Sequence, residues 1–161
     1  MAMSGILSHI PELMAVSMPT VDSYERVGVG RISAGGLLGW GFNNRDMPLR
    51  QVTKNHWELR TVDGCANPYA VVAGMIMASI DRKPLTIGNP GSKCLCWPPF
   101  LGCMLTHLLP EFTPMLSDEE REKIGLTEFL PRSLEESLEA FQKNKSWMEI
   151  ALGKKYAEYF V

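Results

Sequence analysis

The sequence predicts an α+β fold, with short antiparallel strands backed by helices and a helical C-terminus. Three observations carry this reading. Residues 55–62 alternate so that His56, Glu58 and Arg60 share one face and Trp57, Leu59 and Thr61 the other, the period of a half-buried strand. Residues 69–80 form an uninterrupted apolar, Ala- and Met-rich run of helical length. Further on, Ser117 with Glu120, Ser133 with Glu136 and Ser146 with Glu149 repeat the spacing of a capping box, in which serine and glutamate side chains satisfy the exposed amides of a first helical turn.

In chain order, Ile6, Leu7, Ile10, Leu13 and Met14 recur at helical spacing, and Pro11 in mid-pattern predicts a kink in a helix that ends near Pro19. Six of the 14 glycines fall between Gly28 and Gly41, which calls for unusual backbone angles or close backbone approach and predicts a loop running into a strand. Strands are expected at Leu37 to Phe42 and at Leu49 to Val52. Asn67-Pro68 marks a helix start, because the asparagine side chain can accept from an orphan amide while proline sits where its missing donor costs nothing. The helix that follows has no charge from Tyr69 to Ser79, which predicts burial on most sides. Gly88 to Pro114 holds Pro90, Pro98, Pro99, Pro110 and Pro114 and no Asp, Glu, Lys or Arg between Lys93 and Glu111, so it reads as an irregular insertion. The organisation expected is therefore 1–87, an insertion at 88–116, and helices over 117–161.

Composition excludes several classes of function. The chain has 161 residues, 45% hydrophobic and 21% charged, close to soluble globular averages. A net charge of −2 without long like-charge runs argues against a nucleic-acid groove or an anionic membrane surface as partner. Apolar stretches are interrupted before the ~20 residues that cross a bilayer. The start, Met1-Ala2-Met3-Ser4-Gly5, lacks the pattern of a secretory signal, so a cytoplasmic protein with free thiols at its four cysteines is expected. Cys94, Cys96, Cys103 and His107 are soft ligand types, but their spacing is not that of a zinc ribbon, and a metal is not expected there.

The chemistry-bearing residues precede residue 70. Arg26, Arg45, Arg50 and Arg60 lie on expected loop ends and on a strand face, with Glu58 as their carboxylate neighbour. Several guanidinium forks beside one acid suit a planar carboxylate or phosphate. The same residues also suit ordinary surface ion pairs.

The order of these pieces resembles the glutamine synthetase family. Gly5-Ile6-Leu7, His9, Pro11, Leu13 and Ala15, then Pro19-Thr20, Ser23-Tyr24, Arg26, Gly30, Asn44-Arg45, Arg50, Glu58, Arg60, Asp63 and Ala66-Asn67-Pro68-Tyr69 follow the last part of that family's catalytic domain. The ending, Leu130-Pro131, Ser133-Leu134-Glu135-Glu136, Ala151-Leu152-Gly153 and Tyr156 to Phe160, is similar to its C-terminal helices. The resemblance implies the C-terminal portion of a glutamine synthetase-type catalytic domain and a ligase that uses ATP and Mg2+ or Mn2+. There, ATP phosphorylates the glutamate side chain, and ammonia or an amine then displaces phosphate.

The resemblance further implies that Arg26 holds the glutamate carboxylate and that Arg45 meets the transferred phosphoryl group. By the same resemblance Arg50 and His56 face the nucleotide, Glu58 ligates a divalent cation, and Arg60 lies over the γ-glutamyl phosphate. Two departures are visible. No acid stands near Ile32, where the family has its flap glutamate, and His56 replaces a permanently charged nucleotide contact. These departures, with His-Trp-Glu-Leu-Arg, look more like the FluG-like and γ-glutamyl amine ligase-like branches. The expectation is a ligase fragment inactive alone, with a homo-oligomeric parent; the alternative is a catalytically dead, FluG-type regulatory or interaction protein.

Overall fold

The computed structural model describes residues 2–28, 31, 34–81, 117–124 and 126–160, which form two compact units. The expected insertion, its cysteines, and the positions of Gly30 and Ile32 lie outside the described residues.

The described part of the first unit comes from residues 2–25, 61–81 and 131–160. Helix α1 (Ala2–Ser17) runs through Pro11 and buries Ile6, Leu7, Ile10, Leu13 and Met14, the residues whose period predicts it. Helix α2 (Pro68–Ile80) starts as Asn67-Pro68 predicts, the Asn67 side chain accepting from the Tyr69 amide at 3.0 Å. The two helices cross closely. A Cβ on Gly5 would stand 1.9 Å from the Ala78 carbonyl oxygen, and one on Gly74 would stand 2.5 Å from the Leu13 side chain. Small residues thus choose the contact face of α2, burying Ala70, Val71, Gly74 and Ala78. Burial on most sides is not what the structure shows, since Tyr69, Val72, Ile76 and Ile80 are exposed. A helix apolar all round carries no signal for which face packs.

Helices α4 (Leu134–Lys143), α5 (Lys145–Leu152) and α6 (Lys154–Ala157) complete this unit, with a final 3-10 turn Glu158–Phe160. Phe141 and Met148, both at 0% exposure, pack with Ala15, Val16, Ala70 and Ala157, and Phe141 stacks on Phe160. The Ser133 cap forms, its hydroxyl accepting from the Glu136 amide at 3.2 Å, but the Glu136 carboxylate accepts from the Arg132 amide at 2.8 Å, one residue before the cap amide that a capping box would use. The Ser146 box does not form. Helix α5 begins at Lys145, with Asn144 as its cap, so Ser146 already lies inside the helix.

Two polar clusters are buried in the first unit. His9, at 0% exposure, places Nδ1 2.6 Å from the Glu12 carboxylate and Nε2 2.9 Å from that of Asp81, while its ring stacks on Trp147 at 3.9 Å. Tyr24 donates to the Met14 carbonyl at 3.3 Å. Burial pushes its phenol up to about 12; the neighbouring Ser137 side chain opposes this, and the Glu135 charge adds to it. Between the ordinary value of 10.0 and 12 the folded state keeps a proton that the unfolded chain releases. Stability from this source is complete below that window and falls as pH rises through it, by about 2 kcal/mol. Denaturation followed from pH 9 to pH 12 is expected to show a flatter alkaline limb in Tyr24→Phe; an unchanged slope would assign the loss to other groups.

The described part of the second unit comes from residues 26–28, 31, 34–60, 117–124 and 126–130. Strands β1 (Trp40–Phe42), β2 (Leu49–Thr53) and β3 (His56–Leu59) form a sheet in the order β1-β2-β3. The fold class is α+β, as expected. The β2–β3 hairpin is antiparallel, also as expected, but β1 pairs with β2 in parallel, so the sheet is mixed. Parallel neighbours ordinarily need a long crossover. Here β1 is so short that the chain must backtrack only ~10 Å, within reach of the intervening residues 43–48. Helix α3 (Asp118–Ile124) follows the Ser117 signal, and Leu37, Met47 and Leu126 form a small buried cluster. Among the described residues no helix is long and apolar enough to cross a membrane.

Candidate functional site

The sheet register creates the site. Pairing of Gly41 with Arg50 and of Arg50 with Glu58 sets the arginine directly across from the carboxylate. Side chains two apart on a strand share a face, so Arg60, just past β3, follows Glu58. The Arg50 Nη1 donates to Glu58 Oε2 at 3.0 Å, and the Arg60 Nη1 lies 3.6 Å from the same oxygen. The Arg50 and Arg60 side chains are largely buried, whereas Glu58 is 37% exposed.

The β1–β2 connection adds the third guanidinium. Buried Asn44 accepts from the Asp46 amide at 2.9 Å, an Asx turn that shapes the loop carrying exposed Arg45. Gly41 is required beneath it, because a Cβ there would come within 2.8 Å of the Asn44 side chain. The Arg60 Nε donates to the Arg45 carbonyl at 3.1 Å, and the Arg60 amide donates to the Pro48 carbonyl at 2.8 Å. The strand end and the loop are thereby tied together.

Electrostatics follow from this crowding. Desolvation pushes the Glu58 carboxyl up, but the Arg50 hydrogen bond and the charges of Arg50, Arg60 and His56 outweigh it and hold the group below the usual carboxylate range. Burial pulls the Arg60 guanidinium down; Glu58 opposes this, and the like charges of Arg50 and Arg45 reinforce it. Three guanidinium groups against one carboxylate leave an excess of two positive charges among these four residues.

The structure brings Arg45, Arg50, Glu58 and Arg60 together. His56 is exposed at the head of β3, opposite Thr53, and contributes through its charge. Arg26 is exposed on a different element, the end of the 3-10 helix Val21–Arg26. The sequence reading missed Asn43, whose Oδ1 accepts from the Arg50 Nη2 at 3.1 Å. The only signal for it was the Asn43-Asn44 doublet, asparagine being a residue that tolerates left-handed backbone.

The described residues do not by themselves fit a divalent cation. Glu58 offers one carboxylate, its Oε2 already faces two arginines, and no group of three His, Cys, Asp or Glu among the described residues could hold a metal ion. What the arrangement can do chemically is bind an oxyanion. Forked donors with net positive charge on a sheet face suit a carboxylate or a phosphoryl group.

Residues 1–85 match the family model described as glutamine synthetase, catalytic domain. Protein fluG of Emericella nidulans is 28% identical over 163 residues, covering 99% of this chain and 16% of its own length. The glutamine synthetases of Thermococcus kodakarensis and Pyrococcus furiosus are 33% and 34% identical, each covering 96% of this chain and 32% of their own length. The chain thus spans between a sixth and a third of these curated relatives. With the family model matching more than half of its residues, this chain belongs to the glutamine synthetase catalytic-domain family.

Proposed function

We propose that the chain carries the anion-handling part of an ATP-dependent glutamate–ammonia or γ-glutamyl amine ligase that works in the cytoplasm within a homo-oligomer. The observation that supports this reading most is the pair of Arg50 and Arg60 guanidinium groups on the Glu58 carboxylate, with the Arg45 charge near enough to act on Arg60. In this reading 1–87 and 117–161 belong to one catalytic domain and 88–116 is inserted into it. Arg26 holds the substrate glutamate carboxylate, Arg50 and His56 hold nucleotide phosphates, and Arg60 lies over the γ-glutamyl phosphate. Arg45 faces the charge that develops during phosphoryl transfer. Glu58 would supply one oxygen donor to a magnesium or manganese ion whose other ligands lie outside the described residues.

The chain alone is expected to form no γ-glutamyl hydroxamate from glutamate, hydroxylamine and ATP. Turnover lost in Glu58→Ala would overturn this. The roles of the arginines separate when the chain replaces the matching segment of an active relative. There, Arg45→Lys lowers kcat and Arg26→Lys raises KM for glutamate, each roughly ten- to hundred-fold, since an oriented hydrogen bond to a charged group contributes about 1.5–3 kcal/mol. Equal small losses with a lowered Tm in both variants would reduce these arginines to fold support. The reading of a catalytically dead, FluG-type protein draws on the single carboxylate of the cluster; a well-folded chimera with no turnover and intact ATP binding would favour it.

A further inference from the structure

Asn43 carries the one left-handed backbone among the described non-glycine residues, with φ 51°. It sits where β1 ends: its amide donates to the Gln51 carbonyl at 2.8 Å, and its side-chain oxygen accepts from the Arg50 Nη2 at 3.1 Å. Glycine would take this conformation freely, whereas a residue with a Cβ takes it at a cost. What asparagine offers there that glycine lacks is the side-chain amide, and the amide is spent on Arg50. Backbone strain of this kind persists where the surrounding structure uses it.

We propose that Asn43 is a positioning residue that fixes the plane of the Arg50 guanidinium for an incoming phosphate oxygen. The proposal rests on the oxyanion reading of the site and adds a residue to it. Arg50 is gripped at two points, Nη1 by Glu58 and Nη2 by Asn43, while its buried Nε has no hydrogen-bond partner among the described residues. A fork held at both tips cannot rotate about its last bonds, and its remaining Nη protons keep a set direction for an anion. The neutrality of the amide matters as much as its position. Glu58 already offsets one arginine, and a carboxylate at residue 43 would offset a second and drain the charge that attracts the ligand. Asn43 holds the guanidinium while leaving its charge available.

The test is metal-free titration of the full chain with inorganic pyrophosphate, together with NMR of the Arg50 side-chain protons. Asn43→Gly keeps the left-handed backbone and removes the amide. It is expected to leave Tm unchanged, weaken pyrophosphate binding about ten-fold, and merge Arg50 Nη proton signals that are resolved in the parent. Asn43→Asp is expected to keep those signals resolved, and to lose affinity by an amount that shrinks as salt is raised, since it adds only charge. Wild-type affinity in Asn43→Gly, or weakened affinity with the Arg50 signals still resolved, overturns the positioning role. If Asn43→Gly melts earlier, the aspartate variant decides: resolved Arg50 signals support the role and merged signals overturn it. Pyrophosphate binding unaffected by Arg50→Ala, or absent from the parent chain, overturns the oxyanion reading and this proposal together. Binding lost in Arg50→Ala but retained in Asn43→Gly overturns the positioning role alone.

Discussion

Replacing His9 by alanine is expected to destabilise the first unit by about 3–5 kcal/mol, the usual result of deleting one partner of a buried polar cluster and leaving the other uncompensated. The reason lies in what stays behind. Asp81 is 30% exposed and can turn to water, but the Glu12 side chain is 3% exposed and has its carboxylate aimed at the vacated ring. An unpaired buried carboxylate must either carry its desolvation penalty or take up a proton. The indole of Trp147 loses its stacking partner at the same time. Urea denaturation should therefore show a much lower midpoint in His9→Ala, and adding Glu12→Gln to that variant should recover part of the loss by removing the stranded charge. A loss below about 1 kcal/mol in His9→Ala would mean that Glu12 has another partner or reaches solvent easily.

The second large effect is expected at the helix crossing. Ala is the better helix former by roughly 0.5–1 kcal/mol, so on an isolated α1 the change Gly5→Ala would stabilise. Against that gain stands a Cβ placed 1.9 Å from the Ala78 carbonyl oxygen and 2.6 Å from that of Asp81, both backbone atoms that cannot swing aside. The helices must separate, and overpacking of this sort costs typically 1–3 kcal/mol and occasionally more. The clash wins, and a net loss of about 2 kcal/mol or more is expected by calorimetry. Gly74→Ala offers the contrast, because its closest neighbour is the movable end of Leu13, and a smaller loss is expected. Equal effects at the two glycines would show that α1 and α2 slide freely over one another.

Much of this architecture was readable beforehand, for identifiable reasons. Periodicity placed α1, α2 and β3, and local side-chain chemistry placed the Asn67 and Ser133 caps, because each depends only on residues within one or two turns. The shared face of Glu58 and Arg60 follows from strand alternation. Two kinds of information were out of reach. Which face of α2 packs is decided by Gly5 and Gly74 fitting against specific neighbours, a matter of shape that an all-apolar helix does not advertise. The pairing of Arg50 with Glu58 and the parallel docking of β1 depend on register between segments, and register is set by the left-handed Asn43 and the Asn44 turn. The motif order placed the arginines in one family's pattern, but the contact of Asn43 with Arg50 depends on the folded loop and not on that pattern.

The way the first unit is assembled bears on its synthesis. Its described residues come from three separated stretches, 2–25, 61–81 and 131–160, and its bonds span long intervals: His9 to Asp81 across 72 residues and Asn67 to Tyr156 across 89. Loop closure must precede such contacts before they return any stability, which slows folding. On the ribosome, the apolar face of α1 emerges long before Phe141 and Met148 exist to cover it. The β2–β3 hairpin, by contrast, pairs residues only a few positions apart and can form as soon as it leaves the exit tunnel. A nascent chain of this sequence therefore displays its finished β2–β3 hairpin while the first unit still waits for its last stretch, an interval in which exposed helix faces are prone to aggregation.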